Sequence, residues 1–246
     1  MRRLLPGALL LWSCTTAAAE IPPAPPELEA FARFVMAESP PSAEIARRVA
    51  DLDSVISAYA DPAAREVFVA TRAHLAGFAE RGNGRTAAAD VWFVQAVESA
   101  ERANALEPSS EGFRVLADAH NQLLDIRNTG YKMFNAWQAR DNAVRACELD
   151  QSNPLAHLSA AAFFVSAPPI AGGDIQRGAE HLEHAKRLGA DSEYVRFLIA
   201  VWEGRLDAKL GRVRDAELAL AQAYAIYPGN WWLMEIAGEL GVEVGE

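Results

Sequence analysis

Apolar residues recur along the chain at helical spacing. Leu28, Phe31, Phe34 and Val35 form one set, and Ile45, Val49, Leu52, Val55 and Ile56 form the next. Residues three and four apart share one helix face, so each set predicts an amphipathic helix. The strict alternation that marks strands does not occur. Breakers punctuate the pattern at Pro40-Pro41, Asp61-Pro62, Gly82-Asn83-Gly84, Pro108, Asn153-Pro154, Gly172-Gly173, Gly189, Gly211 and Pro228-Gly229. The intervals hold helices of about 12–22 residues, within the usual range for globular proteins. Connections this short make sequence neighbours pack as antiparallel hairpins. Asp61 followed by Pro62 predicts a helix start, with Asp as N-cap and proline at the first helical position, where its missing N–H is not needed. The expected fold class is all-α.

Self-similarity narrows the all-α choices. Four helices carry small residues seven apart and end about five residues later. They are Ala96 and Ala103 before Pro108, Ala139 and Ala146 before Asp150-Gln151, Gly178 and Ala185 before Gly189-Ala190, and Ala216 and Ala223 before Pro228. Residues seven apart lie on one helix face, and small side chains let a neighbouring hairpin approach closely.

On these residues the chain resembles the tetratricopeptide-repeat (TPR) family. The fullest match runs from the turn Gly211 through Ala216, Leu220 and Ala223 to Tyr227-Pro228. The unit before it matches through Gly173-Asp174, Gly178, Leu182 and Ala185, with a first helix from Pro154 to about Val165 that carries Phe164 at the family's aromatic position. Phe113, Leu116, Ala117 and His120 fit an earlier first helix. The match spans roughly residues 85–240 and departs from the family twice. Ala167-Pro168-Pro169-Ile170-Ala171 is inserted before Gly172, and about ten extra residues separate His120 from Ala139.

The resemblance implies antiparallel helix hairpins stacked as a TPR-like right-handed superhelix, with a concave groove that binds a protein or peptide partner. Its alignment points Leu155, Leu158, Ala162 and Val165 of one first helix into the groove, and Glu111, Arg114, Asp118 and Asn121 of another. One end of the groove is then apolar and the other polar. This mixture leaves open a peptide or an apolar small ligand, the latter as in an accessory subunit of a periplasmic solute-uptake system. Leu182 is expected inside its hairpin. The expected organisation is a signal peptide at 1–19, an extended leader at 20–27, an N-terminal helical region of open repeat register at 28–84, and repeats with a C-terminal capping helix at 85–246. Asn230 to Ile236, with Trp231 and Trp232, reads as that cap, because a terminal repeat must cover its last apolar face.

The signal-peptide reading rests on Arg2 and Arg3, the apolar run from Leu4 to Trp12, and the small residues ending at Ala17-Ala18-Ala19. It implies a periplasmic or secreted protein. Leu11-Trp12-Ser13-Cys14 also resembles a lipoprotein box, with Trp12 where that box needs a small residue, so anchoring through Cys14 is the lesser alternative. Residues 20–26, Glu-Ile-Pro-Pro-Ala-Pro-Pro, are too proline-rich to be helical and read as extended. No later stretch is long and apolar enough to span a bilayer. Loss of residues 1–19 removes two arginines and no acids, moving the net charge from -10 to -12. Such a chain repels phosphate backbones, so nucleic acid is not an expected partner.

Cleavage after Ala19 leaves Cys147 as the only cysteine. It sits in a helical run where a small apolar residue suits an interface, and it reads as structural. His181 and His184 lie three apart beside Glu180 and Glu183. Such a pair can ligate zinc but lacks a third ligand at a diagnostic spacing, so it reads as a solvated helix face with no metal. His120 and His157 fall at packing positions. Gly172-Gly173 follows a helix and lacks the Lys-Ser/Thr partner of a phosphate loop, and G-x-S-x-G, H-E-x-x-H and C-x-x-C motifs are absent. No cofactor and no enzymatic activity are expected.

Overall fold

The computed structural model describes residues 21–37, 39–189 and 191–245. The expected signal peptide and Cys14 lie outside the described residues. These fold into eleven α-helices and one short 3-10 turn, with no strand among them. The helices are α1 (Pro26–Ala37), α2 (Ser42–Ser57), α3 (Pro62–Gly82), α4 (Thr86–Leu106), α5 (Ser110–Ile126), α6 (Thr129–Leu149), α7 (Pro154–Ser166), α8 (Ile175–Leu188), α9 (Glu193–Lys209), α10 (Val213–Ile226) and α11 (Trp231–Leu240). The helical repeat expected from the small-residue spacing is present.

Side-chain caps set most of the helix starts. The Asp61 carboxylate accepts from the N–H of Ala63 at 2.8 Å, with Pro62 at the first helical position, as the dipeptide predicts. Asn153 does the same for α7, accepting from Leu155 and Ala156 ahead of its own proline. Residues 21–25 carry no helix, and α1 begins at Pro26.

Four hairpins stack in order: α3 with α4, α5 with α6, α7 with α8, and α9 with α10. The first of these crosses residues 84 and 85, so the helix ending the N-terminal region and the helix opening the repeats form one hairpin. Gly84 turns that hairpin with φ +70°, and Gly211 turns the last with φ +74°. The small residues Ala96, Ala103, Ala139, Ala146, Ala185, Ala216 and Ala223 are all buried. Gly178 is buried for a direct reason: a Cβ there would stand 2.7 Å from Val165 Cγ2 of the paired helix.

The stack curls until its two ends meet. One core joins Leu28, Phe31, Val35 and Met36 of α1 to Phe197, Val201, Leu220, Leu233 and Ile236 of α9 to α11. Phe78 of α3 packs on Trp231 and Trp232, with ring centroids 4.7 Å and 6.0 Å apart. Trp231 seats against Gly82, where a Cβ would stand 2.4 Å from the indole. The capping helix therefore covers the N-terminal hairpin as well as its own neighbour. None of the described helices is long and apolar enough to cross a membrane.

Candidate functional site

The first helices of the hairpins, α3, α5, α7 and α9, face the inside of the curl. Two cavities lie between them, of about 730 Å³ and about 990 Å³. His74, Arg114, Leu155 and Tyr194 line both, and so form a waist between the two. The larger cavity takes part of its wall from Ile21 to Ala24, the extended proline-rich stretch ahead of α1.

The waist is polar, with one guanidinium held between two carboxylates. Arg114 donates to Asp118 at 2.7 Å and to Glu111 at 2.9 Å, and a second, shorter bond joins it to Glu111. Asp118 also accepts from the Ser159 hydroxyl at 2.5 Å, and Glu111 from the Asn153 amide at 3.3 Å. Burial works against the charge on Arg114, but the two carboxylates outweigh it and raise its pKa. Burial likewise opposes the charge on Glu111, and Arg114 with Asn153 reverses the effect and lowers its pKa. His74 is pushed down to about 4, chiefly by burial, and is neutral near pH 7. Burial raises the Tyr194 pKa, so its phenol keeps its proton. With opposite charges in direct contact and the ionisable rings neutral, the waist offers fixed hydrogen-bonding groups.

The groove of about 730 Å³ is where most of the sequence-derived residues gather. Leu155, Leu158, Ala162, Arg114, Asp118 and Asn121 all line it, while Glu111 lines the other cavity beside Arg114. Val165 does not line the groove. It is fully buried against Gly178 in the α7–α8 hairpin. Leu158 touches the groove but is only 3% exposed, in one cluster with Leu182, Val195 and Ile199. Because α7 is enclosed by α5, α6, α8 and α9, Leu158 reaches both groove and core. Sequence reasoning also missed the aromatic wall of Trp202 and Trp232, which the curl delivers from the C-terminal helices.

The two departures from the repeat pattern meet at the groove's rim. The lengthened α6 presents Met133 and Phe134, each 76% exposed, with Trp137 one turn on. The insertion before Gly172 presents Ile170 at 98% exposure, and Met133 and Ile170 both line the groove. An exposed apolar patch continuous with a cleft marks an interaction surface more often than an accident of packing. Both departures are visible in the sequence, and in repeat folds insertions collect on one face, often the binding face.

Of the remaining histidines, His181 is less solvated than its spacing implied, whereas His120 and His157 pack as expected. His120 and His157 are buried. His184 is exposed, but His181 is half-buried, with its Nδ1 3.0 Å from that of His157 and 3.9 Å from the Cys147 sulfur.

No family model matches the chain, and no curated protein matches it. Among solved structures it is similar to a thermophilic TPR protein of Thermus thermophilus, with 16% identity and a TM-score of 0.50 over 82% of this chain and 100% of that one. At that identity the likeness speaks to the fold, which is TPR-like.

Proposed function

We propose that this chain is an exported interaction scaffold of the bacterial envelope, which holds a segment of a partner protein in the groove between its first helices. The observation that carries the reading is the continuity of the groove with an apolar rim, where Met133 and Ile170 line the groove and Phe134 and Trp137 stand exposed beside Met133 on α6. A groove of about 730 Å³ would suffice for a small ligand, since such sites run from about 300 to 1,000 Å³. A small ligand gains nothing from an apolar rim outside the cleft, whereas a protein segment entering the groove covers it. Inside, the apolar wall of Leu155, Ala162 and Trp202 faces Asn121 and Gln122, which suits a segment with one apolar and one polar side. The TPR-like fold supports the same reading, because stacked hairpins present extended concave binding surfaces. Export rests on the pattern of residues 1–19. The protein is read as having no catalytic role and no cofactor of its own in the groove.

Photo-crosslinking amino acids placed at Ile170 and Met133, and as control at the exposed outer-face Leu218, test the reading in cells that export the protein. One partner protein cross-links at Ile170 and Met133 and not at Leu218. Equal capture at all three sites overturns the reading. So does an apolar small molecule recovered in stoichiometric amount from the purified protein when no protein is captured at Ile170; that result would favour ligand carriage for a solute-uptake system. The mass of the exported chain checks localisation, with a first residue of Glu20 expected; an intact Met1 or a lipidated Cys14 removes that part of the proposal.

A further inference from the structure

Cys147 near the end of α6, His157 in the first turn of α7 and His181 in the middle of α8 bring three donor atoms within 4.8 Å of one another. We propose that these residues form a zinc site that staples the α5–α6 hairpin to the α7–α8 hairpin. None of the three lines either cavity, so the site is independent of the groove.

The geometry is close to that of a tetrahedral ion. Zinc bonds of about 2.0–2.1 Å to nitrogen and about 2.3 Å to sulfur place tetrahedral donors about 3.3 Å apart for two nitrogens and about 3.6 Å apart for nitrogen and sulfur. The His157 and His181 Nδ1 atoms are 3.0 Å apart, and Cys147 Sγ is 3.9 Å from His181 Nδ1. These two pairs close with side-chain shifts of a few tenths of an ångström, and the third, Cys147 Sγ to His157, which lies within 4.8 Å, closes as the thiol swings inward by up to about 1 Å.

The rings are held for the task. His157 Nε2 lies 3.1 Å from the Gln151 carbonyl, which can only accept, so Nε2 carries the proton and Nδ1 offers its lone pair to the cluster. A backbone carbonyl on the far nitrogen is the usual way in which a ligating histidine is oriented. Phe164 stacks on His181 with centroids 5.7 Å apart and planes at 11°, and His184 stacks on His157 at 4.9 Å and 10°. Without metal, His181 must donate its Nδ1 proton to His157. When zinc binds, that proton moves to Nε2 of the same ring, the Cys147 thiol gives its proton to solvent, and the thiolate and two neutral imidazoles become ligands. One thiolate with two imidazoles favours zinc over magnesium or calcium, which take oxygen donors. Three protein donors leave the fourth position for water.

The test uses the purified full-length chain, reduced and stripped with chelator, then titrated with Co²⁺ as a spectroscopic probe and with Zn²⁺ and Mg²⁺. The wild type binds one cobalt with a thiolate-to-cobalt charge-transfer band and the strong d–d absorption of a tetrahedral ion. Zinc displaces the cobalt and raises the melting temperature, and magnesium does neither. Cys147→Ala removes the charge-transfer band. It keeps its fold, verified by circular dichroism, because alanine already fills the neighbouring buried positions 143 and 146. His181→Gln, which retains a polar group beside His157, weakens cobalt binding at least tenfold. A wild type that takes up no cobalt, or a Cys147→Ala protein that keeps the same band, overturns the proposal.

Discussion

The side-chain amide of Asn230 donates to the main-chain carbonyl of Met36 at 2.8 Å, tying together residues 194 positions apart at a fully buried point. Its carbonyl accepts from the N–H of Leu233 at 2.9 Å and so caps α11. A single side chain starts the last helix and fastens it to the first.

Asn230→Ala therefore removes a cap, worth about 1 kcal/mol, and orphans a buried carbonyl at a cost of about 1–2 kcal/mol more. Asn128 caps α6 from an exposed position, accepting only from Tyr131 at 3.0 Å, and Asn128→Ala should cost about 1 kcal/mol. Urea denaturation of the two variants compares them. Equal losses would mean that the bond to Met36 contributes nothing to holding the ends together.

The legibility of α7 was uneven, and its composition explains why. Asn153-Pro154 announced its start, and the Gly178 spacing placed its partner helix. Which way each residue faces was not readable, because Pro154 to Ser166 is apolar almost all round and has no polar stripe to mark a solvent side. In α5, by contrast, Glu111, Arg114 and Asp118 recur at helical spacing, and all three face the cavities as the alignment implied. Contacts between distant helices left no local sequence signal at all, which is why the closure by Trp231 and Trp232 and the meeting of Cys147 with two histidines appear only in three dimensions.

The burial of Leu158 decides what a charge there does. Leu158→Asp should destabilise about as much as Leu182→Asp, by on the order of 3–5 kcal/mol each, because both put an unpaired carboxylate into one apolar cluster. Ala162→Asp, on the half-buried groove wall, should cost less than about 1 kcal/mol, as surface substitutions usually do. Thermal melts followed by circular dichroism decide it. A Leu158→Asp protein as stable as the wild type would restore the groove-facing register.

His120 gives the fold a dependence on pH. It is 6% exposed, its Nδ1 has no partner, and burial pushes its pKa down to about 4 from the ordinary 6.5. As pH falls below 6.5 the unfolded chain takes up a proton that the folded chain refuses, so stability is lost between pH 6.5 and about 4 and the effect levels off below. The loss from this group is on the order of 2–3 kcal/mol. His120→Phe, which keeps an aromatic in place, should lessen the slope of that part of the stability profile measured by urea titration, with His74 still contributing over the same range. A variant profile parallel to the wild type would show that His120 titrates normally in the folded protein.

The seam between the chain ends holds both an ion pair and an aromatic contact, and their magnitudes decide which one matters. Arg81 reaches Glu235 at 3.3 Å, with the glutamate side chain 43% exposed, so solvent screens the pair and its coupling should stay below about 0.5 kcal/mol. Trp231 packs on Phe78 and Gly82 with Arg81 over its ring at 5.3 Å. Large-to-small changes at buried aromatics cost about 3–5 kcal/mol, and because Trp231 is only half-buried, Trp231→Ala should cost about 2–3 kcal/mol. A double-mutant cycle on Arg81 and Glu235, run beside Trp231→Ala in urea, separates the two contributions. Should the ion pair couple by more than the tryptophan costs, the ends would be held by charge, and raising the salt concentration would part them. With the aromatic contact dominant, closure survives high salt and weakens when the indole is removed.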